Sequence, residues 1–285
     1  MTVSRHLVLS DIHENGESLI RFLNMAESVS PGFDDVWLLG DLFGHVDQSL
    51  GGDQFNPKFL DAVTALFEYP VEAAFGNWEY WLMHPELDEE NEHQRRYRKE
   101  LVERRRILSD KNPRLLDKMI KNDVIQPAES ENGFTLFHGC SYACHDGSNY
   151  QAKPCESYLN PKDLNVVTHG LFENRENLKT DHFLFGHTHA PGYFAYSTTT
   201  FINMWRPFHH GMTDEPVEYG NDVQRFGINP GSAGIASGQT PRSALILDTA
   251  DQTFTYIIDS EDAVNFRRKT FFSAYSMIKT SLTDG

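Results

Sequence analysis

HLVLSDIHENGESLIRFLNMAESV, residues 6–29, decides the fold. Residues 6–10 are apolar and β-leaning, DIHENG is a polar turn, and Leu19, Ile20, Leu23 and Ala26 then recur at helical spacing. The stretch reads as a strand, a loop and a helix, with an aspartate and a histidine where the strand ends. The order repeats at once. DDVWLLGD (34–41) reads as a buried strand running into Gly40 and Asp41, and NPKFLDAVTALF (56–67) places Phe59, Leu60, Val63 and Leu66 on one helical face.

Further along, PVEAAFGN, GFTLFHG, DHFLFGH and QRFGINPGS share one arrangement, a short apolar run followed at once by Gly, Asn, His or Pro-Gly. Alternating strands and helices predict a largely parallel sheet at the start, and open α/β sheets bind ligands outside the carboxyl ends of their strands. SALILDTA and QTFTYIID predict a terminal hairpin, and EDAVNFRRKTFFSAYSMIK a closing helix. No repeat or low-complexity linker interrupts the chain, so a single domain over 1–285 is expected.

Two segments stand apart. Residues 85–121, including ELDEENEHQRRYRKELVERRR, are dense in both charge signs, with Tyr97, Leu101 and Leu108 as a narrow apolar stripe; this predicts an exposed helical pair laced by charge pairs, with a lid or partner surface as the alternative. Residues 191–226 are rich in aromatics and histidine (Phe194, Tyr196, Phe201, Trp205, Phe208, His209, His210, Tyr219). They either stack on a base or, the preferred reading, fill a peripheral hairpin core.

The 285 residues carry 41 acidic and 25 basic side chains, a formal net charge of −16, with 39% hydrophobic and 23% charged content. Such a chain folds, and a field of this sign repels polyanions, so stable nucleic-acid binding is not expected. No run approaches the roughly 18 apolar residues of a membrane span, and MTVSRHLVLSDIH enters a strand without a secretory cleavage pattern, so a cytoplasmic location without membrane partners is expected. Cys140, Cys144 and Cys155 cluster in one region and fit reduced thiols better than a disulfide framework, with zinc capture as the minor alternative.

Ligand-type residues sit at five predicted strand ends: Asp11 with His13, Asp41, Asn77, His138, and His187 with His189. Carboxylate, amide oxygen and imidazole together suit Mn, Fe or Zn better than Ca, which prefers oxygen alone. The ordered set DIH, GD, GN, HG and GHTH resembles the calcineurin-like metallophosphoesterase superfamily. DIHENGESL and INPGSAGIASGQTPRSALILD are similar to the opening and the NPGS segment of a bacterial and archaeal phosphodiesterase branch that includes GNWE variants and dinucleoside polyphosphate hydrolases.

The resemblance implies an α/β layered sandwich of two mixed sheets flanked by helices, with a helical insertion. It also implies two divalent metal ions: one held by Asp11, His13 and His189, the second by Asn77, His138 and His187, with Asp41 bridging. Asn15 and Asn229 are expected to shape the rim or contact phosphate. The implied activity is metal-assisted hydrolysis of a phosphodiester or nucleotide phosphoanhydride in a small soluble substrate. The alternatives are a phosphomonoesterase or protein phosphatase of the same fold, and a non-catalytic scaffold. The oligomeric state is not predicted.

One position departs from the family pattern. FGNWEYWL (75–82) holds Trp78 where the family usually has a proton-donating histidine, and an indole N–H cannot exchange a proton near neutral pH. Without that acid, worth about 10²–10⁴-fold, good leaving groups such as phosphates and aryloxides are favoured over alkoxides. Trp78 is expected either to stack on a substrate base or to pack as wall with Tyr80 and Trp81 behind it. His45 is the candidate replacement acid and His169 a more distant one, against plain surface roles for both. Glu79 lacks an evident partner.

Overall fold

The computed structural model describes residues 5–29, 32–44, 56–84, 92–121, 128–129, 132–139, 172, 180–208, 215–220, 224–236, 240–259 and 262. The predicted strand–helix alternation is present at the start: β1 (Arg5–Leu9), α1 (Gly16–Ser28), β2 (Asp35–Leu39), α2 (Pro57–Leu66) and β3 (Val71–Ala74). β1 pairs parallel with β2, and β2 parallel with β3. After α3 (Asn77–Met83), α4 (Glu92–Lys111) and α5 (Pro113–Lys121) come β4 (Ala128–Glu129), β5 (Phe134–Phe137) and β6 (His182–Phe185). The remaining strands are β7 (Gly192–Ser197), β8 (Asn203–Pro207), β9 (Val217–Glu218), β10 (Gln224–Asn229), β11 (Ser243–Asp248) and β12 (Thr253–Ile258).

They form two six-stranded mixed sheets, ordered β3-β2-β1-β11-β12-β9 and β4-β5-β6-β10-β7-β8. The expected terminal hairpin is β11–β12, in register from Ser243 opposite Ile258 to Asp248 opposite Thr253. The expected closing helix, apart from Asp262, lies outside the described residues.

The period-2 alternation of the strands builds the layers. Leu7, Leu9, Val36, Leu38, Ala244 and Ile246 face one cluster, shared with α1 and α2 through Leu19, Phe22, Phe59 and Val63. Their neighbours Val8, Trp37, Leu39, Leu245 and Leu247 face the other way, against Phe134, Leu136, Leu184 and Ile228 of the second sheet. Phe183 and Phe185 turn to the outer face of that sheet and pack with Phe194, Tyr196 and Phe172. Strands buried on both sides explain why these runs read as continuously apolar.

Two expectations change in detail. The charged insertion is not simply an exposed pair, because Leu101 and Leu108 of α4 and Leu115 and Met119 of α5 are buried in the first cluster. A narrow stripe suffices where a core surface is waiting for it. The aromatics of 191–208 fill core: Phe194 and Tyr196 are buried, Trp205 packs against Phe194 with ring centres 4.6 Å apart, and Phe201 is exposed at the β7–β8 connection.

Leu108→Ala therefore tests the docking of α4. Loss of a fully buried leucine is expected to cost about 2–5 kcal/mol in urea unfolding, against less than about 0.5 kcal/mol for an exposed position of the same helix.

His182, at the start of β6, packs against Phe134 and Tyr219 while its Nδ1 accepts the Phe226 N–H at 3.1 Å. Burial pushes its pKa down to about 4. The unfolded chain, with a histidine pKa of about 6.5, takes up the proton first, so this contribution to stability is complete above that value and lost as pH falls toward 4. His182→Gln is expected to flatten the fall in urea midpoint across that window.

Candidate metal centre

All seven expected ligand residues converge at the carboxyl ends of β1, β2, β3, β5 and β6, so both sheets contribute. Asp11, His13 and His189 form one group, and Asp41, His138 and His187 the other, each with its ligand atoms within 4.8 Å of one another. His13 Nε2 lies 3.1 Å from His189 Nε2, which is 3.1 Å from Asp11 Oδ1. In the second group His138 Nε2 is 3.0 Å from His187 Nδ1 and 3.2 Å from Asn77 Oδ1. Asp41 Oδ2 sits between the groups, 3.2 Å from His138 Nε2 and 4.0 Å from His13 Nε2.

The donor set fits cations. Asp11 Oδ1 is buried and faces only imidazole nitrogens, His189 Nε2 at 3.1 Å and His13 Nε2 at 3.8 Å, while Oδ2 accepts from Ser10 Oγ and the His187 N–H. His138 Nδ1 donates to the Leu39 carbonyl at 2.6 Å and His13 Nδ1 to that of Phe43 at 3.2 Å. Those bonds select the tautomer that leaves each Nε2 bare and turned inward, as a ligating imidazole requires. Each faces a second imidazole nitrogen at 3.0–3.1 Å, an arrangement that a shared proton or the positive charge of a cation satisfies.

Without a cation, protons carry that charge. Burial opposes a charged His138, yet the neighbouring Asp41 lifts its pKa to about 9. Burial alone would raise both carboxyls, but the imidazoles outweigh it and hold Asp11 and Asp41 below the usual carboxylate range.

Backbone geometry singles out five of these seven residues, together with Glu14. Asp11, His13, Glu14, Asp41, His187 and His189 all adopt left-handed φ values between 49° and 65°; among the described non-glycine residues only Phe201 and Gln252 also do. Such conformations cost about 1–3 kcal/mol each and persist where the surroundings over-determine them. Gly40 and Gly76 permit the convergence. Gly40 has φ +87°, and a Cβ at Gly76 would lie 2.1 Å from Asp41 Oδ1.

Glu79, whose partner the sequence left open, is the clasp that sequence reasoning missed. Its Oε2 accepts the N–H groups of Asp41 (2.9 Å) and Gly76 (2.7 Å), and its Oε1 that of Phe43 (2.9 Å). Burial, and then the charge of Asp41, push its pKa up to about 7. The available signal was its place three residues after a helix-capping glycine, where a glutamate reaches back to the cap N–H.

The other expected site residues are placed as follows. Asn15 caps α1, accepting the Ser18 N–H at 3.0 Å, and donates to the Gly234 carbonyl. Asn229 is fully buried, donating to Gly186 O and Thr188 Oγ1 and accepting from Gly231 N, so it braces the GHTH loop instead of facing a phosphate. Trp78 is 7% exposed; its ring packs edge-on against Trp81 at 5.1 Å and covers Gly44, while its backbone N–H donates to Asp41 Oδ1 at 3.1 Å. This is the wall arrangement, not a base-stacking platform. His45, His169 and the three cysteines lie outside the described residues.

No helix among the described residues is long and apolar enough to cross a membrane. No curated protein matches the chain. Among solved structures, a metallophosphoesterase from Sphaerobacter thermophilus is similar with a TM-score of 0.56 and 18% identity, covering 94% of this chain and 95% of its own. The phosphoesterase Yfce from E. coli (TM-score 0.38, 17% identity, 89% and 98% covered) and an archaeal phosphodiesterase (0.38, 15%, 90% and 99%) are also similar. The calcineurin-like phosphoesterase superfamily domain matches residues 5–252, a span that holds both ligand groups and every described strand but β12, and the chain belongs to that superfamily.

Proposed function

We propose that this protein is a dinuclear metal-dependent phosphoesterase that hydrolyses phosphodiester or nucleotide phosphoanhydride bonds, such as those of dinucleoside polyphosphates, in the cytoplasm. The observation that carries the reading is the placement of Asp41 Oδ2 between two complete ligand groups. Asp11, His13 and His189 would hold one ion, and Asn77, His138 and His187 the other, with Asp41 shared; Mn and Fe, or Zn, suit this mixed set. Bound there, two such ions would supply an activated water as nucleophile near neutral pH and would neutralise charge on the oxygens of an in-line displacement at phosphorus.

The chain's own part is positioning. Leu39 O and Phe43 O hold the two imidazoles in their ligating tautomer, and Glu79 locks the loops after β2 and β3 together. The packing of Trp78 supports the substrate assignment. Its ring is held in the wall and offers no exchangeable proton, so leaving groups that depart without protonation are favoured. A phosphate, whose second pKa is about 6, is one, and an aryloxide is another; a simple alkoxide is not.

The test is hydrolysis of a bis-aryl phosphodiester, diadenosine tetraphosphate and an alkyl phosphomonoester by chelated and Mn²⁺-reloaded protein. Mn²⁺-dependent cleavage of one of the first two, at least about tenfold faster than the monoester, is expected. The monoester as best substrate overturns the substrate class, and no Mn²⁺-dependent turnover of any of the three overturns the enzyme reading. Asp41→Asn is expected to lower Mn²⁺-dependent turnover more than about 100-fold, since even a hydrogen-bond partner of a ligand is worth 10–100-fold. Trp78→Phe, which keeps a packed ring without the indole N–H, should leave the order of the substrates unchanged.

A further inference from the structure

Leu101, Arg104 and Leu108 lie on one face of α4, and all three are buried. The opposite face carries ordinary exposed pairs, Arg106 with Glu103 and with Asp110. A guanidinium between two buried leucines is costly, and a well-packed apolar side chain there would commonly give a more stable protein. Arg104 is turned to a specific partner: its Nη1 donates to Glu14 Oε1 in a buried ion pair.

Glu14 directly follows His13 and has φ +60°. Its N–H donates to Leu42 O at 2.9 Å, and its Oε1 accepts the Gly44 N–H at 3.3 Å. His13 in turn donates its N–H to Asp41 O at 2.9 Å and its Nδ1 proton to Phe43 O at 3.2 Å. Glu14 therefore ties the loop after β1 to the loop after β2 at the place where the orientation and tautomer of His13 are decided. His138 is held elsewhere, by Leu39 O.

We infer that Arg104 is a positioning residue for the metal centre: through Glu14, the helical insertion holds the His13 loop in ligating geometry and so sets the affinity of the Asp11–His13–His189 site. This rests on the dinuclear reading above. It assigns the insertion a role in metal retention.

The experiment is calorimetric titration of chelator-stripped full-length protein with Mn²⁺, alongside thermal melting of the metal-free forms. Wild type, Arg104→Ala, Arg104→Lys, Glu14→Gly, the Glu14→Gly/Arg104→Ala double variant and Arg106→Ala are compared. Two ions are expected to bind wild type; binding of none overturns the dinuclear reading and this inference with it. Arg104→Ala should weaken one site at least about tenfold and leave the other within about twofold, whereas Arg106→Ala should change neither. Arg104→Lys, which keeps charge without the forked donors, should fall between and decides the matter if the alanine variant does not fold. In the Glu14→Gly background, Arg104→Ala should add no more than about a twofold further loss, because the partner through which it acts is gone. Unchanged affinity in the Arg104 variants, equal weakening of both sites, or an undiminished loss in the Glu14→Gly background would each show that Arg104 serves packing alone.

Discussion

Two carboxylates without solvent are the constraint around which this molecule is arranged. Asp11 and Asp41 are 0% and 2% exposed, and a buried, uncompensated carboxylate is among the most expensive groups a fold can hold. Compensation comes from four imidazoles carried by two different sheets, from the N–H groups of His187 and Trp78, and from the Ser10 hydroxyl. Apart from Trp78, in the first turn of α3, each donor is delivered by a loop at a strand end, so the sandwich must bring those ends together before the charges are tolerable. A pair of divalent cations satisfies the same requirement with more charge in less space.

The loops that meet this constraint are strained, and the surrounding hydrogen bonds show how the strain is held. The segment after β10 grips the first ligand loop: Ala233 N and Gly234 N donate to Ser10 O and Asp11 O, and Ser232 Oγ also donates to Asp11 O. That segment is itself anchored by Ser243 Oγ on Pro230 O and by the Tyr256 hydroxyl on Asn229 O and Gly192 O. On the other side Glu79 gathers three backbone N–H groups from the loops after β2 and β3. Left-handed aspartates and histidines persist because they are bonded from both directions.

Regular elements were legible wherever periodicity and burial agree. The runs at residues 6–10, 35–39, 134–137 and 243–248 are apolar because both of their faces are covered, and the ligand residues are visible because each follows such a run directly. The charged insertion was harder to read. Four buried apolar residues and one arginine decide its docking, and a sequence dense in exposed charge hides them. Asn229 and Trp78 each left two readings open for a related reason, since an amide or an indole beside a ligand motif has the same chemistry whether it faces a substrate or braces a loop.

The amino-acid sequence by itself determined the α/β class, the strand ends that bear candidate ligands, and the seven residues that meet there, because hydrophobic period and motif order are local properties of the chain. Tertiary structure alone decided the bracing contacts of Asn229, the clasp role of Glu79, and the approach of Arg104 to Glu14. Those depend on which loops from separate sheets and helices come within hydrogen-bond distance, and contacts between residues ninety positions apart leave no periodic trace in a single sequence.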